Sequence, residues 1–247
     1  MDNQFYSFTF LRGLTSGVDV KNKIEEFFNE TDSKGSTVYD YNAKDDTIYI
    51  KAYGPIGDFG PFGLDDPSQS FTAKGLSNSL EAHPNSKVVT FINSVGGSVN
   101  EAKAMLSIYD RHNGAKEFYN DGLAASAATL FPQVGDFYAS NDMSSFLFHK
   151  VWGLVIGNSS SLRKVIDLMD REDSQIAELY SRKASISKDE ILNLMDKDQQ
   201  ISAKEAENYG FIQGIRKLEY EREEETEDFA NLLTNLEILT KPLTPTT

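Results

Sequence analysis

"SKVVTFINSVGGSVNEAKAMLSIYDRH", residues 86–112, holds a strand, a glycine pair and a helix in direct succession. "SKVVTFINS" (86–94) is almost continuously apolar, the pattern of a strand buried on both faces. "VGGSV" follows, and "SVNEAKAMLSIYDRH" (98–112) reads as a helix closed by Asn113-Gly114. Upstream, "TIYIKAYG" (47–54) is rich in strand formers, "PIGDFGPFGLDDPSQS" (55–70) is a Gly/Pro loop, and "FTAKGLSNSLEAH" (71–83) reads as a helix. Downstream, "AKEFYND" (115–121), "DFYAS" (136–140) and "SSFLFHK" (144–150) read as further short strands. Strands alternating with helices predict an α/β fold with a largely parallel sheet.

Beyond this core the period becomes helical. Residues 159–184 carry a stripe of Leu162, Val165, Ile166, Met169, Ile176 and Tyr180, about 25 residues long. "SKDE" (187–190) and "SAKE" (202–205) are capping-box patterns that open short helices. Residues 1–46 read as an N-terminal extension. In it, "FYSFTF" alternates like a short strand, Val20, Ile24, Phe27 and Phe28 share a helical face, and "TDSKGS" is a loop. Residues 216–247 read as an acidic tail, since seven of the ten residues 219–228 are Asp or Glu. The expected form is a solvated or frayed helix running into a disordered "KPLTPTT". The periodic core then spans 47–215.

The chain has 247 residues, a net charge of −14 and no cysteine. The charge argues against a nucleic-acid partner. The missing cysteines exclude disulfides, thiolate catalysis and cysteine metal sites. No apolar run reaches the roughly 18–20 residues that span a bilayer, and "MDNQFYSFTF" has an acid where a signal peptide has basic residues. The expected location is cytoplasmic, with no membrane partner and no cofactor or metal.

Three histidines are present. His83 precedes a proline in a turn, and His112 sits at a helix C-terminus, where a cation suits the dipole. Both fit structural roles. His149 ends the apolar strand "SSFLF", and the carboxyl ends of strands are where α/β sheets gather ligands and catalytic groups. The pair Gly96-Gly97 at a strand-to-helix turn is either a tight turn or a set of N–H groups aimed at a phosphate or an oxyanion. In "GLAASAATL" (122–130), Ser126 follows a strand and a glycine and opens a helix. It is either a small packing residue or a nucleophile with little bulk around it, with the Ala127 N–H facing the same space. A Ser–His pair needs a carboxylate to orient the imidazole, and with 38 acids in the chain spacing alone does not choose one.

"FINSVGGSV", "DGLAASAATL", "FLFHK" and "DKDQQISAKEAENYGFIQGI" occur in this order. Together, from about Thr47 to Ile215, they resemble the ClpP family of serine peptidases, and most closely the phage-encoded, ClpP-related head maturation proteases. The resemblance implies an α/β fold of the ClpP/crotonase type, with stacked βαβ units and a projecting helical arm. It implies Ser126 as nucleophile, His149 as general base, Asp198 as the acid, and the amides of Gly97 and Ala127 as the oxyanion hole. Val95 stands where the family usually has a proline before the glycine pair, and Val151 where a proline is common two residues after the histidine. The implied partners are a protein or peptide substrate, capsid or scaffold proteins, and further copies of the chain in a ring-shaped homo-oligomer. The implied place is the bacterial host cytoplasm or the procapsid. The alternatives are a general proteolytic core working with an ATPase unfoldase, a non-catalytic subunit on the same fold, and a crotonase-type acyl-CoA enzyme, which needs no Ser–His pair.

Overall fold

Strand β3 (Lys87–Ser94) is the centre of the sheet, and its register explains its composition. It lies parallel between β2 (Thr47–Tyr53) and β4 (Lys116–Ala125). On one face Val88, Thr90 and Ile92 are buried; on the other only Val89 is, with Lys87 and Phe91 partly exposed and Asn93 exposed, so the expected burial on both faces is met only in part. In the computed structural model, residues 38–57, 70–153 and 155–218 are described. The sequence readings for 1–37, 58–69 and 219–247 lie outside the described residues. Those described up to Arg216 belong to one compact unit.

The main path through the sheet runs β1 (Val38–Asn42), β2, β3, β4, β5 (Phe137–Asn141), β8 (Gly214–Arg216). Only β1 on this path is antiparallel to its neighbour. Helices α1 (Ala73–Ala82) and α2 (Val99–Arg111) make the crossovers. Each starts on a hydroxyl cap: Thr72 accepts from the Gly75 N–H, and Ser98 from the Glu101 N–H. Helices α4 (Lys188–Lys197) and α5 (Ala203–Asn208) open on the two capping boxes legible in the sequence, Ser187/Glu190 and Ser202/Glu205. The mixed α/β architecture with a mostly parallel sheet agrees with the expected ClpP-type fold.

One strand departs from the sequence reading in a way that positions the site. The expected break at Gly122 does not occur, and β4 continues to Ala125. Its first half pairs with β5 through Asn120, and its second half pairs with β6 (Ser145–Leu147) from Leu123. Side chains cover the hand-over. Asn120 Nδ2 donates to the Ser145 carbonyl, its Oδ1 accepts from the Gly122 N–H, and Asn141 Nδ2 donates to the Asp121 carbonyl. Gly122, of low strand propensity, is thus held in strand geometry by Asn120 two residues before it, while its neighbours Asn120 and Asp121 are tied to Ser145 and Asn141. β6 in turn pairs antiparallel with β7 (Gln200–Ser202).

Aromatic packing ties the layers together. Contacts run from Phe71 through Phe131, Tyr109, Phe118, Tyr138 and Phe146 to Phe148, which stacks on Phe211 with ring centroids 4.2 Å apart. Helix α3 (Ser159–Ser181) spans 23 residues, about 35 Å at 1.5 Å per residue. Its C-terminal half buries Ile176, Ala177 and Tyr180, whereas Leu162 and Ile166 near its start are exposed. No helix among the described residues is long and apolar enough to cross a membrane.

Candidate active site

Parallel neighbours β3 and β4 end side by side, with Ser94 level with Ala124. The turns that follow them therefore meet. Ala125 is still extended (φ −119°, ψ 147°), and Ser126 then swings to φ +54° before a single 3-10 turn, Ser126–Thr129. The helix expected after Gly122 is thus a short turn starting four residues later. A left-handed serine costs on the order of 1–2 kcal/mol, because its Cβ crowds the following carbonyl. The sharp reversal leaves the hydroxyl projecting from the strand end, as in other strained strand-to-helix turns.

Space for this turn comes from Gly96, which has φ +91°. A Cβ there would lie 2.5 Å from the Ala125 carbonyl oxygen, 2.6 Å from Ser126 Cβ and 3.0 Å from the Ala127 nitrogen. The backbone of the glycine pair therefore lies against the serine turn. Gly96 is held from the other side, as its carbonyl accepts from the Ile56 N–H and its own N–H donates to Ser94 Oγ. Gly97 follows in a parallel bridge to Ile56.

His149 lies two residues past β6, which is paired with the last residues of β4. Its Nε2 is 2.7 Å from Ser126 Oγ, and its Nδ1 is 3.3 Å from Asp198 Oδ1. The imidazole protonated on Nδ1 satisfies both contacts: it donates to the carboxylate and accepts the serine hydroxyl proton. Asp198 closes helix α4 in a left-handed conformation (φ 51°, ψ 46°). Ser126, Asp198 and Asp46 are the non-glycine residues with positive φ among those described, so two of the three lie here. Beside Asp198, Asp196 Oδ1 takes a hydrogen bond from Lys150 Nζ at 2.7 Å, tying the end of α4 to the residue after His149. Both partners are exposed, which keeps that pair weak.

The His149 ring is almost buried, with its side chain 7% exposed, whereas the Asp198 side chain is 53% exposed. Burial pushes the His149 pKa below its usual value, and Asp198 pulls it back only in part. The pocket beside the pair is walled by Val99, Leu130, Val151, Ile176 and Tyr180. All five candidate residues thus fall in one region. Ser126, His149 and Asp198 form a chain of contacts, and Gly97 and Ala127 flank the serine turn.

Within the glycine pair it is Gly96 that makes the close approach to Ser126. One group here escapes sequence reading. Asp173, buried on α3, accepts the Val151 N–H at 2.7 Å. Its spacing was a usable signal, because it lies three residues before Ile176 and seven before Tyr180, on the apolar stripe.

The Clp protease family profile matches residues 67–219, more than half of the chain, and the chain belongs to that family. An "ATP-dependent Clp protease proteolytic subunit" of Pleurastrum terricola is 30% identical over 124 residues, which are 49% of this chain and 63% of that relative's length.

The lowered His149 pKa sets an expected pH dependence. A reaction that uses the neutral imidazole as base keeps its kcat/KM below pH 6.5 and loses it only as pH falls through the depressed value. Asp198→Asn removes the counter-pull, so the acid limb moves to still lower pH while the plateau falls. A limb that moved upward in this variant would contradict the assignment of causes. The sign for stability is the same. Stability linked to His149 is full above the unfolded value of 6.5 and is lost as pH drops toward the folded one, because the unfolded chain takes up the proton first.

Proposed function

We propose that this chain is a serine endopeptidase working through Ser126, His149 and Asp198. The observation that carries the reading is the 2.7 Å contact from His149 Nε2 to Ser126 Oγ, in a family of peptidases. Ser126 Oγ attacks the peptide carbonyl while His149 takes its proton. His149 then returns the proton to the leaving amine as the C–N bond breaks, giving an acyl-enzyme that water hydrolyses in the reverse sequence. Asp198 holds the ring tautomer and stabilises the imidazolium. The amides of Gly97 and Ala127 receive the oxyanion, a role for which one lost donor typically costs about 100- to 1000-fold in rate. The apolar wall of Val99, Leu130 and Ile176 suits an uncharged side chain next to the scissile bond. Residues 47–215 are the peptidase domain in this reading, with 1–46 as an N-terminal segment whose strand β1 joins the domain's sheet, and 216–247 as an acidic tail.

The natural substrate in this reading is a capsid or scaffold protein processed during phage head maturation, supported by the resemblance of "DGLAAS" and the "YGF" block to phage-type members. The assembly is a ring of identical chains with the serines facing an interior chamber. Ile166, 56% exposed on the free half of α3, is support for such an interface. The purified chain is expected to digest casein without nucleotide and to sediment at many times 27.6 kDa. Ile166→Asp combined with Met169→Asp is expected to lower sedimentation and digestion together. Digestion that required an ATPase and ATP would oppose the capsid-processing role. A fully active monomer would oppose the ring.

A further inference from the structure

Asp173 is the one carboxylate buried among the described residues, at 7% exposure. An apolar side chain would fill that place without desolvating a charge, so the position carries a cost that packing does not explain. The burial is expressed in the carboxyl itself, whose pKa is pushed above the ordinary value. What it holds is the backbone two residues after His149, since Oδ1 accepts the Val151 N–H at 2.7 Å. Residues 148–152 have no regular structure, so no ladder of strand hydrogen bonds fixes the histidine. Its place depends on what pins this segment at either end. On one side Phe148 stacks on Phe211, and on the other Val151 is tied to Asp173.

The same face of α3 reaches the serine. Tyr180, two turns beyond Asp173, places its hydroxyl 2.6 Å from Thr129 Oγ1, and Thr129 Oγ1 donates to the Ser126 carbonyl at 2.6 Å. The threonine proton is used on that carbonyl, so the tyrosine is the donor to the threonine. Seven residues of helix separate the two contacts, about 10.5 Å of rigid rise. We propose that Asp173 is a positioning residue for His149, and that with Tyr180 it makes the buried face of α3 a brace setting the His149–Ser126 separation. The proposal rests on the reading of Ser126 and His149 as the reacting pair. Misplacing a reacting group by about 1 Å costs on the order of 100-fold. A brace that keeps Nε2 within hydrogen-bond reach of Oγ therefore has a measurable effect.

The test is the second-order rate of fluorophosphonate labelling of the full chain, with thermal unfolding recorded alongside. Asp173→Ala is expected to slow labelling by about 10- to 100-fold. Asp173→Asn is expected to restore most of that loss, because its amide oxygen accepts the same Val151 N–H. Tyr180→Phe keeps the ring packing and removes only the hydroxyl, and is expected to slow labelling by roughly 3- to 10-fold, the worth of about one hydrogen bond. Wild-type rates in a folded Asp173→Ala protein overturn the proposal, as does a folded Asp173→Asn protein as slow as Asp173→Ala. Should Asp173→Ala not fold, wild-type labelling of Tyr180→Phe overturns the brace. A wild-type chain that does not label at all overturns the reacting pair and the brace with it, and so is distinct from the first two outcomes.

Discussion

Ser126→Ala is expected to give a folded protein whose peptide cleavage is lower by about 10⁴- to 10⁶-fold, the range for removing a serine nucleophile that acts as a unit with its base. The change deletes a single oxygen and leaves the 3-10 turn, Thr129 and the Gly96 contact in place. A second substitution separates chemistry from stability. Ser126 holds φ +54°, where a Cβ is strained and glycine is not. Ser126→Gly is therefore expected to be equally inactive yet more stable by roughly 1 kcal/mol, a rise of a few degrees in Tm. Activity assays and thermal denaturation of the two variants check this. Inactive variants that both melt below wild type would show that the turn needs the serine for its fold.

Gly96→Ala is expected to be damaging although it replaces no candidate catalytic residue. The new Cβ would stand 2.5 Å from a backbone oxygen and 2.6 Å from Ser126 Cβ, at a φ of +91° that L residues rarely adopt. Neither obstacle is a flexible side-chain end, so the β3 and β4 turns must move apart. The expected loss is about 1–3 kcal/mol of stability from the forced φ. In addition, kcat/KM should fall about 100-fold, because Ser126 shifts relative to His149. Denaturant unfolding and kinetics on the same variant check both. Near-wild-type kinetics would mean that the close contact of the two turns does not govern the serine.

Sequence pattern reached further into the elements than into their junctions. The buried strand 86–94, the helix 98–112 and both capping boxes depend on local chemistry, and all have counterparts in the fold. The end of β4 depends on Asn93, Asn120 and Asn141 supplying hydrogen bonds across the sheet, and Gly122 hides this from a local reading. Residue types and strand ends brought Ser126, the glycine pair and His149 forward. Asp198 came only through family resemblance, because the fold alone brings one of many acids to the imidazole. Asp173 is masked in the sequence by its charged neighbours Asp170, Arg171 and Glu172, although its phase on α3 matches the apolar stripe.

Activation of Ser126 by His149 is tested most directly by reaction of the full chain with diisopropyl fluorophosphate, with the adduct located by peptide mass mapping. A single adduct on Ser126, absent in His149→Ala at equal protein and reagent concentration, is the predicted result. No adduct, an adduct on another serine, or equal labelling in His149→Ala would contradict it.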